Sequence, residues 1–268
     1  MQGTGKEQIP LGLVLDDEAR FDNFIVNESN RLLIERLCEA QLSGRKILLW
    51  GRGTGISHLL QACCNQHRHA VAGAIYIPLG QKDTLSPELL TGIESMSLVC
   101  LDDLGAICGD KTWETALFNA FNRISESQSA LILGSSLPPA ELSFDLPDLS
   151  SRMRSTEIYQ LSGLTDEEKK TALILRAGGR GLKLSAQVAD YLLARVDRSM
   201  KSLMRILDLI DLNSLVQQRK ITVPLVRELL DSNPELQGRL EMSTILADVD
   251  NKPAEDNDTE QGLDQAKQ

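Results

Sequence analysis

The chain has 268 residues, 42% of them hydrophobic, and a formal net charge of −10 at pH 7. This length allows one large domain with a smaller one appended, and the charge argues against a large DNA-binding surface, which needs clustered lysine and arginine. There is no apolar run near the roughly 20 residues that span a membrane, no signal-peptide core and no C-x-x-C among the five cysteines. We therefore expect a cytoplasmic protein with free thiols.

Apolar segments and helical patterns alternate through the first two thirds of the chain. After a glycine-bearing leader, residues 1–15, a helix is predicted from about Asn30 to Leu42. Strands are predicted at Ile47–Trp50, Ala74–Pro78, Leu98–Leu101, Leu131–Gly134 and, more briefly, Glu157–Leu161. Helical patterns lie between them at 57–66, 86–93 and 112–125. This alternation predicts an α/β domain over residues 16–162, built on a mainly parallel five-stranded sheet that helices flank on both faces.

The pattern becomes all helical after residue 162. Thr165 and Glu168 form a capping box that opens a first helix, and Ser185, Ser199 and Thr222 are predicted to cap three more. A small helical lid is therefore expected over residues 163–231. Residues 232–268 are acidic and lack aromatic side chains, which predicts a disordered tail. Its few apolar positions leave open one further amphipathic helix.

A glycine-rich turn follows the first predicted strand and leads directly into a helix. Gly53 and Gly55 lie in this turn, which is the layout of a loop that binds phosphate through backbone N–H groups. The stronger motif G-x-x-x-x-G-K-[ST] is broken, because Trp50 takes the first glycine position and Ile56 takes the lysine position. Ser57 remains where a magnesium-binding hydroxyl would lie. The sequence thus predicts a nucleotide pocket that lacks its main phosphate charge.

Two carboxylates end the third predicted strand, Leu98–Leu101. Beside a phosphate loop, Asp102 would hold the magnesium shell and Asp103 a catalytic water. A polar turn that merely ends an apolar strand is the alternative interpretation of the same pair.

Several longer segments carry a family resemblance. Phe21–Ile25 and Gly55–Ala62 are similar to segments of the DnaA-related AAA+ proteins, while Leu98–Asp103, Gly109–Glu114 and Leu146–Arg152 resemble most closely the Hda regulators within that family. The likeness extends over about residues 8–230. It implies an AAA+ module with a helical lid in a bacterial protein that regulates the initiation of DNA replication.

The resemblance also assigns a nucleotide pocket. The residues that it implies are Phe21, Asn23, Phe24, Ile25, Gly53, Gly55, Ile56, Ser57, His58, Asp102, Asp103 and Lys201, with Ser57 and Asp102 as magnesium ligands. Ile56 replaces a basic residue of the family, Ser136 replaces the sensor acid and Lys201 replaces the sensor arginine. These changes predict that ADP binds weakly and that the chain has no efficient ATPase activity of its own.

A peptide that binds a sliding clamp is the family's first functional element. Gln8, Ile9, Leu11 and Leu13 match it, with a glutamine amide as the anchor and leucines to fill an apolar groove. The implied partner is the beta subunit of DNA polymerase III. Gly12 stands where the family usually has proline. A leader that only packs on the domain is the alternative.

Arg152 corresponds to the family's arginine finger, which acts on a nucleotide held by a neighbouring subunit. Arg154 is the nearby competitor for that role. The resemblance implies that the chain, bound to a DNA-loaded clamp, stimulates hydrolysis of DnaA-bound ATP, without reading a DNA sequence itself and without a membrane. It leaves a homodimer open. The alternatives are a clamp-bound adaptor without a finger and an autonomous AAA+ ATPase that loads or remodels replication proteins.

Overall fold

The computed structural model describes residues 15–39, 42–217 and 220–236. Within these ranges strands and helices alternate up to the fifth strand, and helices alone follow it. The strands are β1 Lys46–Trp50, β2 Ala74–Pro78, β3 Leu98–Asp102, β4 Ala130–Ser135 and β5 Glu157–Gln160. The helices are α1 Arg31–Cys38, α2 Ile56–His67, α3 Lys111–Glu126, α4 Pro147–Arg154, α5 Asp166–Gly179, α6 Ala186–Arg195, α7 Met200–Gln217 and α8 Val223–Ser232.

The five strands form one parallel sheet in the order β2-β3-β4-β1-β5. In its register, Trp50 at the end of β1 pairs with Ser135 at the end of β4, and Leu101 of β3 pairs with Leu133. The predicted five-stranded parallel sheet is thereby confirmed. Its register brings the carboxyl ends of β1, β3 and β4 to one edge, where an open α/β sheet binds its ligands.

Alternate residues of each strand pack on opposite faces of the sheet, as the period of a β-strand requires. Leu48 faces a core that contains the buried side of α3, including Leu117 and Phe121. Ile47 and Leu49 face a second core, which is formed with α1 and α2. Because helices cover both faces, the interior strands β3 and β4 are buried along their whole length. This burial explains their continuous apolar sequence.

Helices α5 to α8 form the predicted all-helical lid around an apolar core of their own. The capping box is present, since Thr165 Oγ1 accepts from Glu168 N and Glu168 accepts from Thr165 N. Ser185 caps α6 by accepting from Val188 N. Asn27, which precedes α1, donates to the Glu168 carboxylate at 2.8 Å. The start of the lid is therefore tied to the α/β domain.

The structure corrects two local predictions and adds one helix. The helix predicted at 86–93 is two short 3-10 helices, Pro87–Leu90 and Ile93–Ser95, because Gly92 between them has a left-handed backbone with φ of 83°. Thr222 precedes α8 but makes no side-chain capping bond. Helix α4 was not predicted, since its eight residues include only Leu149 and Met153 as buried apolar positions.

No helix in the described ranges is long and apolar enough to cross a bilayer. Cys63, Cys64 and Cys100 are buried free thiols, whereas Cys38 is exposed and free. Residues 1–14 of the predicted clamp-binding leader and residues 237–268 of the predicted tail lie outside the described residues, so the predictions for them stay predictions. At the start of the tail, predicted from residue 232, Ser232 ends α8 and Leu236 is buried in the core of the lid.

The two threonines that precede α5 and α8 allow a direct test of the capping box. We expect Thr165→Ala to lower the free energy of unfolding by about 1 kcal/mol, because Glu168 N loses its acceptor at the start of α5. Thr222→Ala should cost markedly less, since Thr222 makes no capping bond. Urea denaturation of both variants measures the difference. Equal losses for the two variants would show that the capping bond contributes little.

Candidate functional site

A tight glycine loop joins β1 to α2. Gly53 and Gly55 adopt left-handed backbone conformations with φ of 66° and 88°. A Cβ at Gly55 would lie 2.9 Å from Cε2 of Phe24, and a Cβ at Gly51 would lie 2.5 Å from the carbonyl oxygen of Leu161. These close approaches leave no room for side chains at the two positions. The loop thus brings its backbone to the mouth of a cavity, as phosphate binding requires.

The amino terminus of α2 points its first N–H groups at this loop. Leu59 donates the first backbone bond of the helix, to the carbonyl of Gly55, so the preceding N–H groups have no partner within the helix. Ser57 is exposed beside them. Ile56, by contrast, is buried and packs toward the sheet, where a Cβ on Gly134 would lie 2.8 Å from its Cγ2. The helix start can attract an anion but offers no cation at the lysine position.

The two predicted carboxylates lie at the end of β3, beside this loop. Asp102 is buried, and its carboxylate accepts from Asp103 N at 2.9 Å and from the Tyr76 hydroxyl at 2.8 Å. Asp103 has a left-handed backbone with φ of 62°. Burial and the charge of Asp102 raise the pKa of Asp103, while Lys201 opposes that shift. The pair is thus a concentration of negative charge at the carboxyl edge of the sheet.

A cavity of about 510 Å³ lies between the glycine loop and the lid. It brings together eleven of the twelve residues predicted for nucleotide binding: Asn23, Phe24, Ile25, Gly53, Gly55, Ile56, Ser57, His58, Asp102, Asp103 and Lys201. Phe21 does not line it and instead packs against the core formed with α1 and α2. Ser136, predicted in place of the sensor acid, does line the cavity.

Arg176 of α5 is a cavity residue that the sequence analysis did not identify. It is only 9% exposed, donates to the carbonyl of Glu18 at 2.6 Å and lies 3.6 Å from the Asp16 carboxylate. His58 accompanies it: burial lowers the pKa of this imidazole, which bonds to the carbonyl of Arg20 at 2.9 Å. Ala172, one helical turn before Arg176, lines the same cavity. The helical phase of α5 was the signal that could have identified Arg176.

The residues present fit a nucleotide, although incompletely. The glycine loop and the start of α2 can receive phosphates, and Phe24 and Ile25 offer apolar surface to a base. In the described part of the chain, histidine, cysteine and acidic side chains form no group of three or more that could hold a metal. Ser57 and Asp102 alone would therefore hold magnesium only together with phosphate oxygens, which is how this ion is usually bound.

Arg152 lies outside this cavity, in the last turn of α4. Leu149 and Met153 bury one side of the helix, and Arg152 is exposed. Among the described residues its guanidinium makes no ion pair or hydrogen bond, whereas Arg154 Nε donates to the carbonyl of Ser150 at 3.3 Å. Arg152 is therefore the more available of the two arginines. The predicted clamp-binding residues Gln8, Ile9, Leu11 and Leu13 lie outside the described residues.

Known proteins share both parts of this architecture. Residues 166–230 match the lid-domain model of the Hda family. A crystal structure of a DNA replication initiation factor is 27% identical with a TM-score of 0.62; the match covers 74% of this chain and 65% of that one. DnaA from Aquifex aeolicus, solved with AMPPCP bound, is also 27% identical with a TM-score of 0.60, over 74% of this chain and 66% of its own.

A third match supports the fold alone. Domain III of the Thermotoga maritima replication initiation protein DnaA is 20% identical, with a TM-score of 0.69, and the match covers 82% of this chain and 98% of that domain. The chain thus spans about two thirds of the first two proteins and nearly all of the isolated DnaA domain. The lid match and these structural matches support a Hda- or DnaA-related AAA+ protein.

Proposed function

We propose that this chain is a negative regulator of replication initiation that stimulates hydrolysis of DnaA-bound ATP and leaves inactive ADP-bound DnaA. It would act while tethered through Gln8–Leu13 to the sliding clamp, the beta subunit of DNA polymerase III, on DNA. Arg152 would enter the nucleotide site of the neighbouring DnaA. The Hda lid and the likeness to DnaA structures support this assignment at the level of the family.

The observation that carries the proposal is the isolation of Arg152. An exposed arginine at the end of a short, well-packed helix, away from the chain's own cavity, can serve a nucleotide only if another molecule holds it. A guanidinium suits this role because its planar fork is permanently charged and can grip the phosphate charge that spreads in the transition state.

The chain's own pocket has a supporting role in this proposal. ADP would bind between the glycine loop and the lid, where Lys201 supplies a positive charge that acts on Asp103. A bound nucleotide that contacts both domains would fix their relative position, and with it the face that meets DnaA. Ile56 weakens such binding because a buried isoleucine presents no charge to phosphate.

One specific observation favours a second candidate, an autonomous AAA+ ATPase. Ser57, Asp102 and Asp103 all line the cavity, so the groups that would hold magnesium and a water are present. ATP turnover by the purified chain without DnaA would favour this alternative. The remaining alternative is a clamp-bound adaptor without an arginine finger. Loss of stimulated hydrolysis in the Arg152 variants would exclude it.

We expect Arg152→Ala to abolish stimulated hydrolysis, with a loss on the order of 10³-fold, because a finger in trans commonly contributes that much. Arg152→Lys should be nearly as damaging, since one point charge cannot reproduce the bidentate fork. The measurement is hydrolysis of ATP bound to DnaA in the presence of clamp and DNA. Arg154→Ala, the matched control, should keep most of the activity. Wild-type rates with Arg152→Ala would overturn the mechanism.

The predicted tether can be tested separately from the fold. Gln8→Ala combined with Leu11→Ala should abolish clamp binding, because both the amide anchor and one apolar contact are removed. The melting temperature should be nearly unchanged, since neither position is predicted to be in a core. Gln2→Ala with Thr4→Ala is a control in the same leader. An unchanged dissociation constant for the Gln8 and Leu11 double variant would refute the assignment.

Nucleotide affinity should respond to a cation at the loop. We expect ADP to bind the wild type with a dissociation constant of about 1 μM or weaker and Ile56→Lys to tighten it roughly tenfold, about the contribution of one charged hydrogen bond. Ile56→Gln, similar in length but uncharged, should not tighten binding. Calorimetry on the three proteins decides. Sub-micromolar affinity in the wild type, or equal tightening by glutamine, would contradict the prediction.

A further inference from the structure

Glu114 in the first turn of α3 is a fully buried acidic side chain. Its carboxylate accepts three backbone hydrogen bonds, from Gly109 N at 2.8 Å, Asp145 N at 3.0 Å and Leu146 N at 2.8 Å. The first donor precedes α3, and the other two belong to the segment that leads into α4. One carboxylate therefore ties together two stretches of chain that lie more than 30 residues apart in sequence.

Leu146 is the residue that precedes α4. Its N–H is held by Glu114, and its carbonyl accepts from Leu149 N and Ser150 N. No side chain of the helix's own N-cap position caps α4, whose first residue is Pro147. The position of the helix start is therefore set from outside the helix, by a charged group on α3. Hydrogen bonds from N–H groups to a buried carboxylate are stronger than those between neutral groups.

The far end of the same helix carries Arg152. Its guanidinium has no ion pair or hydrogen bond among the described residues, so no polar contact of its own side chain fixes its direction. A rise of about 1.5 Å per residue places position 152 about 9 Å along the axis from position 146. Any shift or tilt at the helix start is carried to the arginine. A misplacement of about 1 Å in a catalytic arrangement can cost roughly 100-fold in rate.

We infer that Glu114 is a positioning residue for Arg152: by binding the N–H groups of Asp145 and Leu146, it fixes α4 in the orientation that presents the arginine to a partner's nucleotide. The inference rests on the proposed function. A carboxylate suits the task because it is acceptor-only and can satisfy several N–H donors at once. Leu149 and Met153 bury one side of the helix in the core that contains α3, while the Glu114 bonds set its position along that core.

Glu114→Gln is the variant that tests the inference. The amide keeps one acceptor oxygen but turns an NH₂ group toward a backbone N–H, so at least one donor of the α4 segment loses its partner. We expect the maximal rate of stimulated hydrolysis of DnaA-bound ATP to fall 10- to 100-fold. The concentration of the chain that gives half-maximal stimulation should stay the same. Hydrogen exchange should speed up at the amides of 145–154 and not in the lid.

Ile124→Val is the matched control, because it removes one buried methyl group from the other end of α3. It should keep the maximal rate at a temperature where both variants are folded by circular dichroism. If Glu114→Gln unfolds below that temperature, Glu114→Asp, which keeps the charge on a shorter side chain, is used in the same assay. If Glu114 only stabilised the fold, Glu114→Gln and Ile124→Val would lose activity in proportion to their loss of stability.

An Arg152→Ala arm separates the two ways of failing. If Arg152→Ala retains full stimulation, the proposed finger is wrong. If Arg152→Ala is inactive while the folded Glu114 variant reaches the wild-type maximal rate, the finger stands and Glu114 does not position it. A change in the half-maximal concentration alone would likewise overturn the positioning role.

Discussion

The parallel pairing of the five strands is the constraint on which the candidate site depends. It brings the glycine loop after β1, the acidic pair at the end of β3 and the serines at the end of β4 to one edge, although they are far apart in sequence. The pairing of Trp50 with Ser135 and of Leu101 with Leu133 fixes which side chains meet there. A slip of one residue in β3 would turn the alternating side chains to the opposite face and direct Asp102 away from the loop.

The lid supplies the second wall of the cavity, and short polar contacts hold it in place. Arg176 and Arg180 reach the segment before α1 through Glu18, and Asn27 bonds to Glu168 at the start of α5. Lys201 and Arg176 are the lid's contribution of positive charge to the cavity. Because these contacts are few, a ligand bound between the lid and the glycine loop would add substantially to the interface. In the proposed mechanism, a bound nucleotide would therefore fix the position of the lid without taking part in the reaction.

In the proposed mechanism, the chain separates two functions that an ordinary AAA+ ATPase combines. The cavity keeps a helix start, a hydroxyl and two carboxylates but has Ile56 at the cation position. Helix α4 carries Arg152, which has no ion pair among the described residues, outside the cavity; buried Leu149 and Met153 and the Glu114 bonds at its start support this helix. In the proposed mechanism this division is consistent: the partner holds the reacting nucleotide, and this chain supplies charge and position.

The sequence alone determined the elements whose signals are local. Apolar runs located the strands, Thr165 and Glu168 located the start of the lid, and the glycine spacing located the loop, because periodicity and capping act within a few residues. The sequence did not reveal α4, which has only two buried apolar residues and a start held by Glu114. It also did not reveal that Gly92 breaks the helix predicted at 86–93. Arg176 was missed because the cavity that it lines is formed by segments that are far apart in the sequence. The sequence encodes each local preference. Contacts between distant segments decide that Glu114 fixes the start of α4 and that Arg152 has no ion pair among the described residues.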